Sequence, residues 1–573
     1  MHYSGFALII LLNSEFMKKP IVIAILLTLV AFGLRLWLSL SLANDEPGDA
    51  KLYALMAHNV LDHNVYSSDE EAPFNPTYFR VPGYPLFLVG VYSQFGKDNN
   101  RAARIIQAFI DTLTCWFIGL LALAWSPVAW ALEKRRRAML WALALAACCP
   151  FTAIYVTVLL TEAWTMFWVT LGALTATYAL KSQRLSTSLR WWSVAGLSGG
   201  MATMFRPDSP LFVGGVGLTL TMIGLSEAFA QWRKQKARRE ITPERETITD
   251  DVSPANAKEI LTANPALSVW QIIGQAIVRG AIFSFAFCVI LLPWTIRNAR
   301  VFNVFMPIAP ASASMPDEFV PVGYNAWLRT WVDNWYYTEK ADWAMGERPI
   351  FVEQLPDYAF DSAEEKAQVT ELLNRYNNPE AQPQTTIKNE DENNDGDDDD
   401  DSSGDEGENN STGDDTDEDD EAEPAVVKMT PEIDAEFAQL ARQRIDHHPL
   451  RYFVLTPLKR ARHMWFSTHS QYYPFSGDEL FPEDGEHQQK FWLPFFKSLV
   501  WVYTLLSVAG AMMLWRSQEP RRWILLMALL IIPRFIYLSS LQNPEPRYVV
   551  EFFPFVLAMA SLVLASIRLR RKL

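Results

Sequence analysis

The stretch NDEPGDAKLYALMAHNVLDHNVYSSDEEAPFNPTYFRVPGYPLFLVGVY, residues 44–92, separates two apolar segments that are each long enough to cross a bilayer. Asp45, Glu46 and Asp49 follow directly after the first of them. Asp49, Tyr53 and Ala57 stand at i, i+4 and i+8, so on a helix they share one face. Such a helix would lie along the membrane surface with its carboxylate leading. The segment Tyr78-Phe79-Arg80-Val81-Pro82-Gly83-Tyr84-Pro85 contains two prolines, which remove donors and fix φ. It predicts a rigid loop holding Arg80 and Tyr84 near Asp49.

The chain has 573 residues, 50% of them hydrophobic, yet its mean hydropathy is close to zero. The average hides a division into apolar runs and one acidic block. Residues 390–423 hold 20 of the 65 Asp and Glu and no Lys or Arg. The remaining 45 acids face 50 basic residues, so the net charge of −15 becomes about +5 elsewhere. The low isoelectric point therefore belongs to an insert and implies no nucleic-acid partner. A span needs about 20 apolar residues, and ten runs come near this: 20–42, 105–125, 138–158, 163–180, 191–205, 209–228, 268–292, 491–515, 523–540 and 549–567. These predict an all-α polytopic membrane protein with short interfacial helices in its extracytoplasmic loops.

Lys and Arg concentrate in alternate connections, as the positive-inside rule requires. The clusters are Lys18-Lys19, Lys134 to Arg137, Lys181 with Arg184 and Arg190, Arg233 to Arg239, Arg516 with Arg521-Arg522, and Arg568 to Lys572. Ten spans put all six on one side, with both termini cytoplasmic and the chain in the cell (inner) membrane. Met17-Lys18-Lys19-Pro20 reads as a more natural start than Met1. The expected division is an N-terminal transmembrane region, 1–296, including a first external loop, 43–104. A large external loop, 297–490, with a disordered acidic insert, 389–424, and C-terminal helices, 491–573, follow. Segments 364–376 and 434–447 read as helices in that loop. Asp391, Asn393, Asp395 and Gly396 copy half of an EF-hand loop, but position twelve is Ser402 where Glu is needed, so a solvated spacer is the better reading. Asn410-Ser411-Thr412 is a chance sequon as readily as a real one. The four cysteines sit in apolar runs without disulfide or metal-ligand spacing.

Asp49 stands at a wet, partly apolar boundary, where desolvation raises a carboxylate pKa and suits it to general-base work. Glu162 lies among Val158, Leu159, Leu160 and Trp164, where an ionised group costs about 2.5–3.5 kcal/mol on insertion scales and so calls for a partner. Arg206, Arg297 and Arg547 each follow an apolar segment on the face away from the basic clusters. A guanidinium suits phosphate because its planar fork donates parallel hydrogen bonds. Single arginines also snorkel to headgroups; three on the disfavoured face point to a shared anionic ligand.

The order of these parts resembles the C-type (GT-C) membrane glycosyltransferases, specifically the protein O-mannosyltransferase and aminoarabinose-transferase-like group. The resemblance rests on Asp49 with Tyr53 and Ala57, on Arg80-Val81-Pro82-Gly83-Tyr84-Pro85, on Thr161-Glu162-Ala163, on Arg206-Pro207-Asp208, on Pro293-Trp294-Thr295-Ile296-Arg297-Asn298 and on Arg547-Tyr548. It covers nearly the whole chain except the acidic insert. It implies a GT-C-like bundle, a polyprenyl-phosphate sugar as donor, and a lipid, glycan or protein acceptor. It implies further that Asp49, or Asp45 four residues earlier, is the base, that Glu162 orients sugar hydroxyls or an arginine, and that Arg297 and Arg547, with Arg206 and Arg80 behind them, bind the phosphate. Tyr53, Tyr84 and Tyr548 complete the expected substrate-binding set. No protein metal site is expected, and relatives differ in their use of a divalent cation. A transporter or flippase of an anionic lipid-linked substrate is the rival reading, because intramembrane charges also mark transport paths.

Overall fold

The computed structural model describes residues 20–42, 48–241, 267–310, 314–315, 318–378, 427–475, 487–517 and 521–567. Asp45, the Met17 start, Lys18-Lys19, the acidic block with its half EF-hand sequence and Asn410, and Arg568 to Lys572 lie outside the described residues. Among the described residues all regular structure is helical. Two compact units divide the chain, one made of residues 1–320 and 457–573 and the other of 321–456.

The first unit runs through α1 (Pro20–Ser41), α2 (Gly48–His63), α3 (Gly83–Phe95), α4 (Asn100–Trp125), α5 (Leu132–Ala147), α6 (Glu162–Lys181), α7 (Leu185–Phe205), α8 (Pro210–Ile241) and α9 (Val269–Phe302). Among the described residues seven helices of this unit are long and apolar enough to cross a membrane, so the chain is built as a multi-pass membrane protein. Five are α1, α4, α8 and α9 together with the helix that ends at Ser566; the other two cover Gln489–Arg516 and Arg521–Ser540. The expected span at 138–158 is broken. Helix α5 stops at Ala147, and Pro150–Val156 continues at a bend of 53°, because Pro150 has no N–H and pushes Cys149 out of helical backbone. If the bent pair counts as one span the total is eight.

The expected spans at 163–180 and 191–205 are helices α6 and α7, which are not among the seven. Their polar content explains this: α6 carries Thr165, Thr170, Thr175 and Thr177, and α7 carries four serines and three glycines. Small and hydroxyl residues let backbones approach closely inside a bundle. A Cβ on Gly196 would stand 2.2 Å from the Phe283 carbonyl oxygen of α9, and one on Gly200 would stand 2.6 Å from Ile290 Cβ. Thr165, Thr175 and Thr177 return their hydroxyls to carbonyls one turn back, so these side chains are satisfied without water. Helix α9 continues ten residues past the expected end at 292, straight through Pro293. Prolines are tolerated in membrane-spanning helices where neighbouring groups can take up the freed carbonyl. Arg297, expected to open a loop, therefore sits on a helix.

The smaller unit has its own core. Helices α10 (Val322–Trp331), α11 (Ala363–Asn377) and α12 (Pro431–His447) enclose Tyr324, Trp327, Trp331, Tyr376 and Phe437. The Asp434 carboxylate accepts from the Gly323 and Tyr324 amides at 3.0 and 2.8 Å, satisfying donors that the first turn of α10 leaves open. Lys428 N donates to Tyr376 O at 3.1 Å, so the chain departs after α11 and returns before α12 at almost one point.

The larger unit resumes with α13 (Thr456–Phe466), α14 (His487–Arg516) and α15 (Arg521–Ser540), then a 3-10 turn (Pro546–Phe552) leading into α16 (Phe553–Ser566). Helix α16 packs against α4, α5, α6 and α14, and nearly all its side chains are buried. The basic ends of several helices meet. Lys181 Nζ reaches the Ala124 carbonyl and lies over the Trp523 ring, while Arg135 donates to Leu123 O at 3.4 Å. The charges of the candidate site gather elsewhere in the bundle.

Candidate functional site

Asp49 occupies the first turn of α2, where a carboxylate is favoured by the open amides and the helix dipole. The helix buries Ala50 and Ala57 against Tyr84, Leu88 and Phe205, which leaves Asp49 at the edge of that cluster. Its Oδ1 accepts from Arg80 Nη2 at 3.1 Å and its Oδ2 from Arg547 Nη2 at 3.1 Å. Two guanidiniums from opposite ends of the sequence thus share one carboxylate.

Each arginine is positioned by its neighbours. The Tyr66 hydroxyl donates to the Arg80 and Val81 carbonyls at 3.3 Å, pinning the bend before α3. That helix begins at Gly83, where any Cβ would stand 2.4 Å from the Met204 carbonyl oxygen; glycine permits the close approach. Tyr84 and Pro85, expected in an irregular loop, lie in the first turn of α3, where proline's missing N–H costs nothing. Arg547 is held on its other side by Glu545, with Nε at 2.5 Å from Oε2 and Nη2 at 3.1 Å from Oε1. Asn543 Nδ2 donates to Glu545 Oε1 and to the Tyr548 hydroxyl, both at 3.1 Å.

Behind this layer lies a buried charge network. Arg206 Nη1 is 3.1 Å from Glu162 Oε1 and 3.0 Å from Glu551 Oε1, and its Nε is 3.2 Å from Asp208 Oδ1. Arg534 reaches Asp208 Oδ2 at 2.8 Å and Glu551 Oε2 at 2.9 Å, and also donates to Tyr548 O at 2.8 Å. Arg534 and Glu551 are both fully enclosed. The Tyr548 ring lies under both Arg206 and Arg547, with guanidinium carbons 4.8 and 5.3 Å from its centroid. Five carboxylates (Asp49, Glu162, Asp208, Glu545, Glu551) meet four guanidiniums (Arg80, Arg206, Arg534, Arg547). Paired in this way they tolerate burial that would be prohibitive singly.

No family model, curated protein or solved structure matches this chain.

The sequence-predicted residues fall into two groups. Asp49, Arg80, Glu162, Arg206, Arg547 and Tyr548 are joined through the contacts above. Tyr53 packs its ring against Tyr84 at 5.2 Å and lies close enough to Asp49 that burial, then the carboxylate charge, push its phenol up. Tyr84 itself turns away, donating to Gln107 Oε1 at 2.6 Å. Arg297 is not brought to Asp49. It donates to Thr77 O at 2.6 Å and to Asn298 Oδ1 at 2.9 Å and lies 5.0 Å from the Trp294 ring centroid, clamping the segment before Arg80 onto α9. Asp45 lies outside the described residues.

The raised Asp49 pKa expected from desolvation is not what the surroundings produce. Burial does push the carboxyl up, but Arg547 and then Arg80 outweigh it and hold the group below its ordinary value. Asp208 behaves alike, with Arg534 and Arg206 overcoming its burial.

Arg534, Glu551 and Glu545 were absent from the sequence-level site. The signal that singled out Glu162 applied equally to Arg534 in Ile532-Pro533-Arg534-Phe535 and to Glu551 in Val550-Glu551-Phe552, since an ionised residue within an apolar run demands a partner. Tyr155 and Tyr472, with ring centroids 5.6 Å apart, also lie within electrostatic reach of Arg547 and Glu162. Among the described residues no group of three or more His, Cys, Asp or Glu is placed to hold a metal ion.

Proposed function

We propose that the protein is a GT-C-type glycosyltransferase that moves a sugar from a polyprenyl-phosphate sugar to an acceptor hydroxyl at the extracytoplasmic membrane face. The observation that carries the reading is the single carboxylate of Asp49, partly open to solvent, held between Arg80 and Arg547 at a membrane-protein surface. A carboxylate beside two guanidiniums is what inverting transfer from a lipid phosphate needs. Asp49 accepts the proton of the acceptor hydroxyl as its oxygen attacks the anomeric carbon. The bond from that carbon to the phosphate oxygen breaks, its electron pair leaves with polyprenyl phosphate, and the anomeric centre inverts. Charge grows on the phosphate as the bond breaks, so arginines beside it stabilise the transition state more than the ground state.

Arg547 and Arg80 take the phosphate role in this reading, Arg206 holds Glu162 in place, and Arg297 positions the loop that carries Arg80. A topology of ten spans with α6 and α7 as interior crossings, both termini cytoplasmic, puts the site on the face opposite the basic helix ends. The experiment is release of polyprenyl phosphate from a panel of polyprenyl-phosphate sugars by the purified protein, with a membrane extract as acceptor source. Wild type is expected to release it and Asp49→Asn to lose at least about 100-fold in rate, the span of general-base catalysis. Loss only in Asp45→Asn would move the base by four residues. Movement of lipid across vesicles without release from any donor would favour the flippase reading instead.

A further inference from the structure

We infer that Asp49 serves as an internal stand-in for the donor phosphate, and that a phosphate-bearing lipid binds by taking both arginines away from it. The inference rests on the transferase reading above and concerns how its site is switched on.

The geometry is that of an anion already bound. The two carboxylate oxygens of Asp49 each take one guanidinium, at 3.1 Å from Arg80 and 3.1 Å from Arg547. A phosphate presents pairs of oxygens of nearly the same separation, and Arg is the side chain that receives either group through the same parallel donors. The Arg547 nitrogen that holds Asp49 also meets Glu545 Oε1 at 3.1 Å. Arg547 keeps Glu545 on its Nε edge, at 2.5 Å, and Arg80 Nε is buried without a hydrogen-bond partner. The Asp49 side chain is 25% exposed, so the bridge is reachable from outside, whereas the Arg206 and Arg534 pairs behind it are sealed.

Held this way, Asp49 is a poor base. When a phosphodiester takes Arg80 and Arg547, the carboxylate loses two cations and gains a nearby anion, both of which favour its protonated form. Loading the donor therefore prepares the base. During transfer, one negative charge leaves Asp49 as it is protonated and one appears on the departing phosphate. The same two arginines serve the carboxylate before the reaction and the phosphate after it, and the charge of the site is unchanged across the step.

The test compares binding of a long-chain polyprenyl phosphate to wild type, Asp49→Asn and Asp49→Ser in detergent, with the matching polyprenol and inorganic phosphate as controls and melting temperature as the check on folding. Two partly exposed ion pairs are each worth about 0.2–1 kcal/mol, so removing the competing carboxylate is expected to tighten polyprenyl phosphate binding about 2- to 30-fold. Polyprenol binding should not change. Inorganic phosphate improving in parallel would show that the phosphate alone displaces Asp49; improvement only for the lipid would show that the chain is needed to drive the exchange. Both support the stand-in. Binding by wild type that is unchanged or weakened in both variants overturns it while leaving the transferase reading standing. Absence of polyprenyl phosphate binding in all three folded proteins overturns both.

Discussion

Two guanidiniums hold the Asp49 carboxyl below its ordinary value against the upward push of burial, so its titration has a definite direction. A depressed folded-state pKa contributes stability that is fully present above the unfolded value, about 3.9, and is lost as pH falls through the lower folded value. The melting-temperature difference between wild type and Asp49→Asn is therefore expected to stay constant from pH 8 to about pH 5 and to shrink only below about pH 4. A difference that fades between pH 7 and pH 5 would mean that the arginines do not hold the group. The neighbourhood of Asp49 was partly legible because it is local: helix spacing put Tyr53 below it, and the proline-framed segment brought Arg80 alongside. The sign of the shift was not, because Arg547 lies 498 residues away and no periodicity reports a pairing at that distance. Arg534 and Asp208, 326 residues apart, were missed as a pair for the same reason.

Among the helices, the joint between α1, α4 and α5 depends on one buried arginine. Arg35 donates Nε to Asp111 Oδ2 at 2.5 Å and its two terminal nitrogens to Ala147 O and Ala146 O at 3.1 Å. Ala147 O closes α5, which ends just before Pro150, while Ala146 O also accepts from Cys149 N at 3.4 Å, and a cation at a helix C-terminus is well placed by the dipole. Removing one partner of a buried pair leaves a charge uncompensated and costs about 3–5 kcal/mol, whereas replacing both by apolar groups is often close to neutral. Asp111→Asn is thus expected to lower the melting temperature in detergent severely, and Arg35→Met with Asp111→Leu to recover part of the loss. Recovery should be incomplete, since the Ala147 and Ala146 carbonyls lose the guanidinium that donates to them. A double variant no better than Asp111→Asn would argue against the pair as the cause. Neither the break at Pro150 nor the run of α9 through Pro293 followed from hydropathy. In both cases a proline stood within an apolar segment, and a hydropathy average does not tell a proline that ends a helix from one the helix runs through.

For the whole molecule, hydropathy found the membrane-spanning character and the separate, aromatic-cored unit lay within the long loop that composition had set apart. Helices α6 and α7, read as spans at 163–180 and 191–205, fall outside the seven because their buried faces are rich in threonine, serine and glycine. The acidic block enters and leaves the smaller unit between Tyr376 and Lys428, whose backbones are hydrogen-bonded. A short Gly/Ser bridge can therefore close the gap at little entropic cost. Replacing residues 379–426 by such a bridge is expected to leave the melting temperature within a few degrees and the rate of polyprenyl phosphate release within about twofold. Unfolding of the smaller unit would show that the block contributes to its core. Because the two anchor points touch, all of the chain's excess negative charge is mounted on a detachable piece. A lineage could gain, lengthen or lose it in one genetic event, changing how the protein meets ions and neighbours at the membrane without altering a single contact around Asp49.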